Sequence, residues 1–340
     1  MKSLILEKGK LVLKEFDIPK ADHGEILVKM KACGICGTDI EKIKGFSLTN
    51  LKLGHEVTGE VAQVGEGVKD LKVGDRVFVH HHVSCGGCYY CKNNSETLCE
   101  LFYKTNLEPC GFSEYFKVPK FNLEKGAVIK LNHINHEEGT FIEPLGCCIR
   151  NLRKSNFREG ERVMVMGCGI MGLLHIMLLK LMGAGKIFAL DVIPFRLRKA
   201  KELGAYYTFN ANEGSLEEKV KELTEGIGLD LVIVATSNKK ALLQAFNFVR
   251  KGGRISIFGA PFKGTIIDLD FSDIFIREIG VIPSYSTSEK ETHLASSLLE
   301  SKKLKVEDLV THRFKLEDYK EAFRVAEEGK DSLKVLIVNP

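Results

Sequence analysis

The apolar segment Arg162–Met166 runs straight into Gly167-Cys168-Gly169-Ile170-Met171-Gly172, and a second apolar stretch with helical spacing follows over 171–182. A G-x-G-x-x-G pattern alone is weak, but between a strand and a helix it restricts the fold sharply. In that context Gly167 permits a tight turn, Gly169 lets backbone approach a pyrophosphate, and Gly172 allows close helix–strand packing. Unpaired N–H groups at the helix start, around Ile170 and Met171, favour the same anion. Asp191 closes the next apolar run, 22 residues beyond Gly169. A carboxylate there binds adenosine ribose hydroxyls and repels a 2′-phosphate, so the pattern predicts NAD rather than NADP. Arg196 stands beside the same ribose position and keeps NADP as the lesser alternative.

Around this loop, apolar strands alternate with helical stretches: 162–166, 171–182, 186–190, 195–203, 229–235, 239–248 and 254–258. Such repetition predicts a doubly wound parallel sheet covered by helices on both faces. Residues 1 to about 120 read differently, as short, alternating, turn-rich segments that predict mostly β structure. The final apolar run, 333–338, is a strand candidate able to rejoin that first part. The expected organisation is a discontinuous domain of residues 1–148 and 287–340, interrupted by a nucleotide domain of residues 149–286.

Lys and Arg total 49 against 45 Asp and Glu, a net charge of +4. That balance lacks the basic excess of a dedicated nucleic-acid binder. Nowhere do eighteen consecutive apolar residues occur, so no membrane span is expected. The expectation is a soluble cytoplasmic protein acting on a small molecule. In that setting ten cysteines read as metal ligands and buried thiols rather than as a disulfide framework.

Cys85, Cys88, Cys91 and Cys99 form C-x2-C-x2-C-x7-C within a Gly-rich lobe, residues 84–100. Four thiolates so close in sequence wrap one tetrahedral Zn²⁺ and leave no position open, which predicts a structural site. A redox C-x-x-C role lacks the strand-to-helix context it needs. A second constellation is dispersed: Cys36-Gly37-Thr38-Asp39, Gly54-His55-Glu56 and Glu143-Pro144. Taken singly, His55 reads as a loop histidine and Glu143 as a carboxylate complementing a helix dipole. Together, one thiolate, one imidazole and a carboxylate make the mixed, incomplete ligand set of a catalytic zinc.

At these residues the sequence resembles the zinc-dependent medium-chain alcohol dehydrogenase family. Gly54-His55-Glu56-Val57-Thr58-Gly59, then Gly65 and Val68, match its zinc signature. The likeness extends through the four-cysteine lobe, Gly111-Phe112-Ser113-Glu114-Tyr115, Glu143-Pro144-Leu145 and the glycine loop. Glu56 and Glu143-Pro144 resemble the polyol and threonine dehydrogenase branch. The resemblance implies a Rossmann domain of α/β class beside a mostly β, GroES-like catalytic domain. It implies that Cys36 and His55 ligate catalytic zinc with Glu56 as third ligand, and that Glu143 binds directly or through water. Asp39 would orient His55, and Thr38 would take the alcohol proton. It also implies a homodimer or homotetramer.

The reaction so implied is zinc- and NAD-dependent oxidation of a secondary alcohol of a polyol, sugar or sugar derivative. L-threonine 3-dehydrogenase activity is the nearest rival, and a non-catalytic nucleotide-binding member is the alternative of another class. Three departures stand out. Relatives carry a proton-relaying His where Glu41 stands and often a His where Arg150 stands. His80, His81 and His82 precede the lobe, and strand alternation predicts that His80 and His82 share one face and His81 the other.

Overall fold

Strands Arg162–Met166 and Leu229–Val234 carry unbroken apolar sequence, as strands covered on both faces must. They lie at the centre of a six-stranded, all-parallel sheet. Reading across it, the order is Tyr207–Asn210, Lys186–Asp191, Arg162–Met166, Leu229–Val234, Val249–Ile257 and Gly280–Pro283. Strand order reverses between Arg162–Met166 and Leu229–Val234, and open α/β sheets bind ligands beyond the carboxyl ends of strands at such a point. The structure, a computed structural model, describes residues 1–45 and 52–339. Its chain divides into two units, Met1–Gly146 with Thr287–Pro340, and Cys147–Ser286, which holds this sheet.

Helix Ile170–Leu181 is apolar nearly all round, and Leu173, Leu174, Ile176, Leu178 and Leu179 are buried. Its one buried imidazole is satisfied by neighbours. His175 Nδ1 meets the Met171 carbonyl at 2.8 Å and Nε2 meets Asn151 Nδ2 at 2.9 Å. Ser256 Oγ in turn donates to Asn151 Oδ1. An amide nitrogen only donates and a carbonyl only accepts, so Nδ1 carries the proton and Nε2 is bare. Helix Pro194–Leu203 begins with proline at its first turn, where a missing N–H costs nothing.

The other unit is built on a seven-stranded sheet. Ile26–Gly34 pairs antiparallel with Glu56–Val64, with Tyr115–Val118 and with Lys334–Val338. Glu56–Val64 continues to Arg76–Val79 and Val128–Lys130, while Val310–Phe314 lies parallel to Lys334–Val338 at the far edge. Alternating residues of these strands, among them Ile26, Val28, Met30, Val57, Val61, Val77 and Val79, bury a core against Phe112 and Phe116. A hairpin, Lys2–Glu7 with Lys10–Glu15, belongs to the same unit. Among the described residues no helix is long and apolar enough to cross a membrane.

Candidate functional site

Asp39 fixes the geometry of the dispersed constellation. Fully buried in the first turn of helix Gly37–Ile43, it accepts the Cys36 N–H at 3.1 Å through Oδ2 and the Gly54 N–H at 3.0 Å through Oδ1. One carboxylate thus ties together the two segments that carry Cys36 and His55. Oδ1 also lies 3.5 Å from His55 Nδ1, beyond a formed hydrogen bond but close enough for charge attraction. Gly54 has φ +71, and a Cβ there would meet the Phe112 nitrogen at 2.6 Å, so the bend that presents His55 requires glycine.

One donor atom each from Cys36, His55 and Glu56 lie within 4.8 Å of one another. His55 and Glu56 are buried and Cys36 is partly exposed, so the group opens on the cysteine side. Burial by itself disfavours a charged imidazole, yet Asp39 and the Cys36 sulfur override it and hold the His55 pKa well above the ordinary range. A pocket of anionic donors that draws a proton onto His55 will exchange that proton for a divalent cation, and the thiolate–imidazole–carboxylate set fits zinc. Thr38 is half-buried in the turn that follows Cys36. Glu143 is buried in the first turn of helix Ile142–Lys154 and lies outside the group of three.

Sequence reasoning missed Lys334. Its ammonium donates to Glu56 Oε2 in an ion pair with neither side chain exposed, and lies 5.6 Å from the centre of the Phe141 ring. No motif signals this lysine, because only the sheet brings it to Glu56.

The sulfurs of Cys85, Cys88, Cys91 and Cys99 also lie within 4.8 Å of one another. Backbone N–H groups point at them: Gly87 N to Cys85 Sγ at 3.4 Å, Cys88 N to Cys85 Sγ at 3.2 Å, and Cys85 N to Cys99 Sγ at 3.4 Å. The Gly87 and Cys88 N–H groups lower the Cys85 thiol to about 6, whereas burial pushes Cys91 up to about 12. Sulfurs receiving N–H groups are prepared to carry negative charge, as four zinc-bound thiolates do.

The strand ends at Val79, yet His80 and His82 both face the Phe102 ring, at 6.4 and 5.0 Å between centroids, as alternation predicts. All are buried, and their rings follow one another, His80 to His81 at 5.3 Å and His81 to His82 at 3.9 Å between centroids. His81 also lies 5.1 Å from the His55 ring. Burial lowers the pKa of His80 and of His82 to about 3 and that of His81 well below the usual value. Glu41 is half-buried, and burial raises its pKa. Arg150 is buried, and its charge adds to burial in lowering the pKa of Lys154.

In the parallel-sheet unit the glycines of the loop divide by cause. Gly167 has φ +93, and a Cβ on Gly172 would stand 1.9 Å from the Gly167 carbonyl oxygen, so the chain's own packing demands both. Gly169 is different: a Cβ there would meet nothing closer than Arg196 Nη1 at 3.8 Å. Asp191 accepts the Cys168 N–H at 2.6 Å and the Ile193 N–H at 2.8 Å, and Arg196 Nη1 lies 3.9 Å from it. Ile170 and Met171 open helix Ile170–Leu181 directly above this turn.

Comparison with known proteins agrees with this geometry. A family profile described as "Alcohol dehydrogenase GroES-like domain" matches residues 22–128, and one described as "Zinc-binding dehydrogenase" matches residues 171–301. The L-threonine 3-dehydrogenase of Pyrococcus furiosus is 34% identical, over 96% of this chain and 94% of its own. The sorbitol dehydrogenase of Bacillus subtilis is 31% identical, over 99% and 97%. An alcohol dehydrogenase of Escherichia coli CFT073, solved with NADH, superposes with a TM-score of 0.88 at 30% identity, covering 100% of this chain and 99% of that one. With its GroES-like and Rossmann folds and both sets of zinc-type donors, the chain belongs to the zinc-dependent medium-chain alcohol dehydrogenase family, oxidoreductases that act on CH–OH groups with a nicotinamide dinucleotide.

Proposed function

We propose that the protein oxidises a secondary alcohol of a polyol, sugar or sugar derivative to the ketone, with NAD as hydride acceptor. The observation that carries this reading is the three-donor group of Cys36, His55 and Glu56, tied together through Asp39 and open on one side. Three protein donors leave room at a tetrahedral ion for a substrate oxygen. In this reading Cys36 and His55 hold the zinc, Glu56 is the third donor, and Glu143 joins directly or through water. Zinc bound there supplies Lewis acidity that makes an alcohol O–H acidic near neutral pH. Thr38 Oγ1 would take the hydroxyl proton while its own hydroxyl proton passes on to solvent, and NAD, when bound, would supply the hydride acceptor that lets the carbinol become a carbonyl.

Gly167, Gly169 and Gly172, with the N–H groups of Ile170 and Met171, take the pyrophosphate, and Asp191 and Arg196 flank the adenosine ribose. The unit holding Cys36 is the catalytic domain and the parallel-sheet unit is the NAD domain. Cys85, Cys88, Cys91 and Cys99 hold a second, closed zinc.

NADH formation by the zinc-loaded protein across polyols, sugars, their phosphates and acids, and L-threonine tests the reading. A chelator-sensitive, NAD-linked polyol substrate supports it. Oxidation of L-threonine alone selects the second reading, favoured by the likeness to the Pyrococcus enzyme. Silence across the panel with NAD binding intact selects a non-catalytic member.

We also infer a homodimer or homotetramer. Helix Phe271–Ile276 exposes Phe271 at 76%, Phe275 at 82% and Ile276 at 75%, and the chain continues into edge strand Gly280–Pro283. Apolar exposure on that scale beside an open sheet edge is the mark of a covered face. Light scattering should give two or four times 37.9 kDa, and Phe275→Asp should shift it toward one. No disulfide joins any of the ten cysteines among the described residues, which suits a reducing cytoplasm.

A further inference from the structure

Lys42 is a buried charge near the donor group to which the reaction described above gives no task. It stands on helix Gly37–Ile43 three residues after Asp39, so the two side chains share one face of that helix, and both are buried. Lys42 is only 4% exposed and forms no ion pair with a carboxylate among the described residues; its ammonium donates to the Lys52 carbonyl at 2.6 Å. An ammonium buried on one carbonyl is a poor stabiliser, because its desolvation costs more than a single hydrogen bond returns. A methionine would fill a similar volume without that cost. What lysine adds at this position is a directed bond.

The target of that bond is the segment that leads into His55. Helix Gly37–Ile43 supplies Lys42 to the Lys52 carbonyl and Asp39 Oδ1 to the Gly54 N–H at 3.0 Å. From elsewhere in the same unit the Gly111 N–H donates to the Leu53 carbonyl at 3.1 Å, and a Cβ on Gly111 would stand 2.0 Å from the Gly54 oxygen. The Lys52 ammonium donates in turn to the Leu107 carbonyl at 2.8 Å. One donor and one acceptor a turn apart on a helix thus grip a C=O and an N–H two residues apart in the chain. His55 follows at once, so its ring goes where this segment lies.

We propose that Lys42 is a positioning residue of the catalytic site: acting with Asp39, it clamps residues 52–54 and so fixes the imidazole of His55 relative to Cys36 and Glu56. The consequence for turnover rests on the alcohol-oxidation reading, whereas the geometric part concerns the three donors alone. Asp39 supplies half of the clamp. It holds the Gly54 N–H but leaves the Lys52 carbonyl, and with it the tilt of the segment, to Lys42. A carbonyl deprived of its donor turns toward another, and His55 moves with it. Metal sites tolerate little such movement, since loss of a group that orients a ligand costs about ten- to a hundredfold in metal affinity or activity.

The test uses the intact protein with zinc in the four-cysteine lobe and either zinc or cobalt in the Cys36 site, and compares the wild type with Lys42→Met and Lys42→Arg. Methionine removes the donor at similar volume, while arginine keeps one. Metal affinity is measured by competition with a chelator, donor geometry by the visible absorption of the cobalt form, and folding by NADH affinity and denaturant unfolding. For Lys42→Met the expected result is a loss of about tenfold in affinity at the Cys36 site, a shifted cobalt spectrum, and a fall in kcat with KM little changed. The lobe metal and NADH affinity should be retained, and Lys42→Arg should recover most of the affinity and the wild-type spectrum. Unchanged affinity and spectrum in Lys42→Met overturn the proposal even where stability falls, because that outcome is a structural role only. Should Lys42→Met not fold, Lys42→Gln, which keeps a neutral donor on a shorter chain, is judged by the same two readouts. Neither readout needs an alcohol. A wild type that oxidises no alcohol therefore fails the oxidation reading, while affinity and spectrum still decide the role of Lys42.

Discussion

Lys334 and Glu56 stand 278 residues apart in the chain and meet in a fully buried ion pair one strand away from where each begins. Sheet register explains the meeting. Gly34 lies opposite Glu56 on one side and opposite Leu336 on the other, so strand Ile26–Gly34 separates the two charged residues by the width of one backbone. A Cβ on Gly34 would stand 2.0 Å from Glu56 Oε2 and 2.6 Å from Lys334 Cε. The absence of a side chain at Gly34 is what lets lysine and glutamate touch across it.

Removing Lys334 takes from the buried Glu56 carboxylate the ammonium that its Oε2 touches, beside the Cys36 and His55 donors. Lys334→Met should therefore destabilise the metal-free protein by about 3–5 kcal/mol. Zinc gives Glu56 a replacement partner, so the loss should shrink when the protein is zinc-loaded. Gly34→Ala should act in the same direction by wedging the pair apart. Denaturant unfolding of each variant with and without zinc is the measurement, and an equal loss in both states would show that Glu56 never turns to the metal.

The parallel sheet was legible because strands such as Arg162–Met166, buried on two faces, must be apolar without alternation. Zinc-type donors were legible because few residue types bind the metal and their spacing betrays them. Lys334 was invisible for the opposite reason. A lysine before an apolar strand looks like any solvated charge, and its burial depends on which strand lies two places away in the sheet. For the histidines at 80–82 alternation is legible beyond the strand end at Val79, since His80 and His82 share the Phe102 side, whereas the contact of His81 with His55 depends on the fold. Asp39 was read as a partner of His55, whereas its firmest bonds go to the backbone N–H groups of Cys36 and Gly54.

Cys36→Ser tests the division between the two metal centres. The Cys36 group and the four-cysteine lobe share no residue, so the variant should keep one zinc per chain where the wild type holds two. Turnover should fall by about a thousandfold or more, with NAD affinity almost unchanged because the glycine loop belongs to the other unit. Metal analysis and cofactor titration decide the matter. Full activity in the variant would remove this site from the reaction.

His175 makes the stability of the parallel-sheet unit depend on pH. Burial lowers its pKa from 6.5 to about 4, against the pull of the Met171 carbonyl. Protonation would also put a hydrogen on Nε2 facing the Asn151 amide, breaking the chain that runs on to Ser256. Because the folded pKa is depressed, the unfolded state binds the proton more readily between about pH 6.5 and 4. Stability is whole above that window and falls as pH drops through it, by about 3 kcal/mol for this residue. His80 and His82 act with the same sign. In His175→Phe the unfolding free energy should be lower at pH 8 but should change less between pH 7 and 5 than in the wild type, and identical slopes would exclude His175 as a source.

Asp191 carries two duties that one substitution can separate. Its carboxylate accepts N–H groups from Cys168 and Ile193, which holds the glycine turn against the strand end, and in the proposed cofactor mode its charge faces the adenosine ribose. Asp191→Asn keeps an oxygen for one of those N–H groups but removes the charge. Arg196, 3.9 Å away, is then left as the dominant charge at the site, and a guanidinium favours a 2′-phosphate. The ratio of kcat/KM for NAD to that for NADP should therefore fall by about one to two orders of magnitude in Asp191→Asn, with the change largely in KM. Adding Arg196→Ala should weaken NADP without restoring NAD, because the arginine supplies attraction for the phosphate and the aspartate supplies discrimination against it. A wild type that already prefers NADP would overturn this account of Asp191, and a double variant that uses both cofactors as the single variant does would show that Arg196 takes no part in the choice.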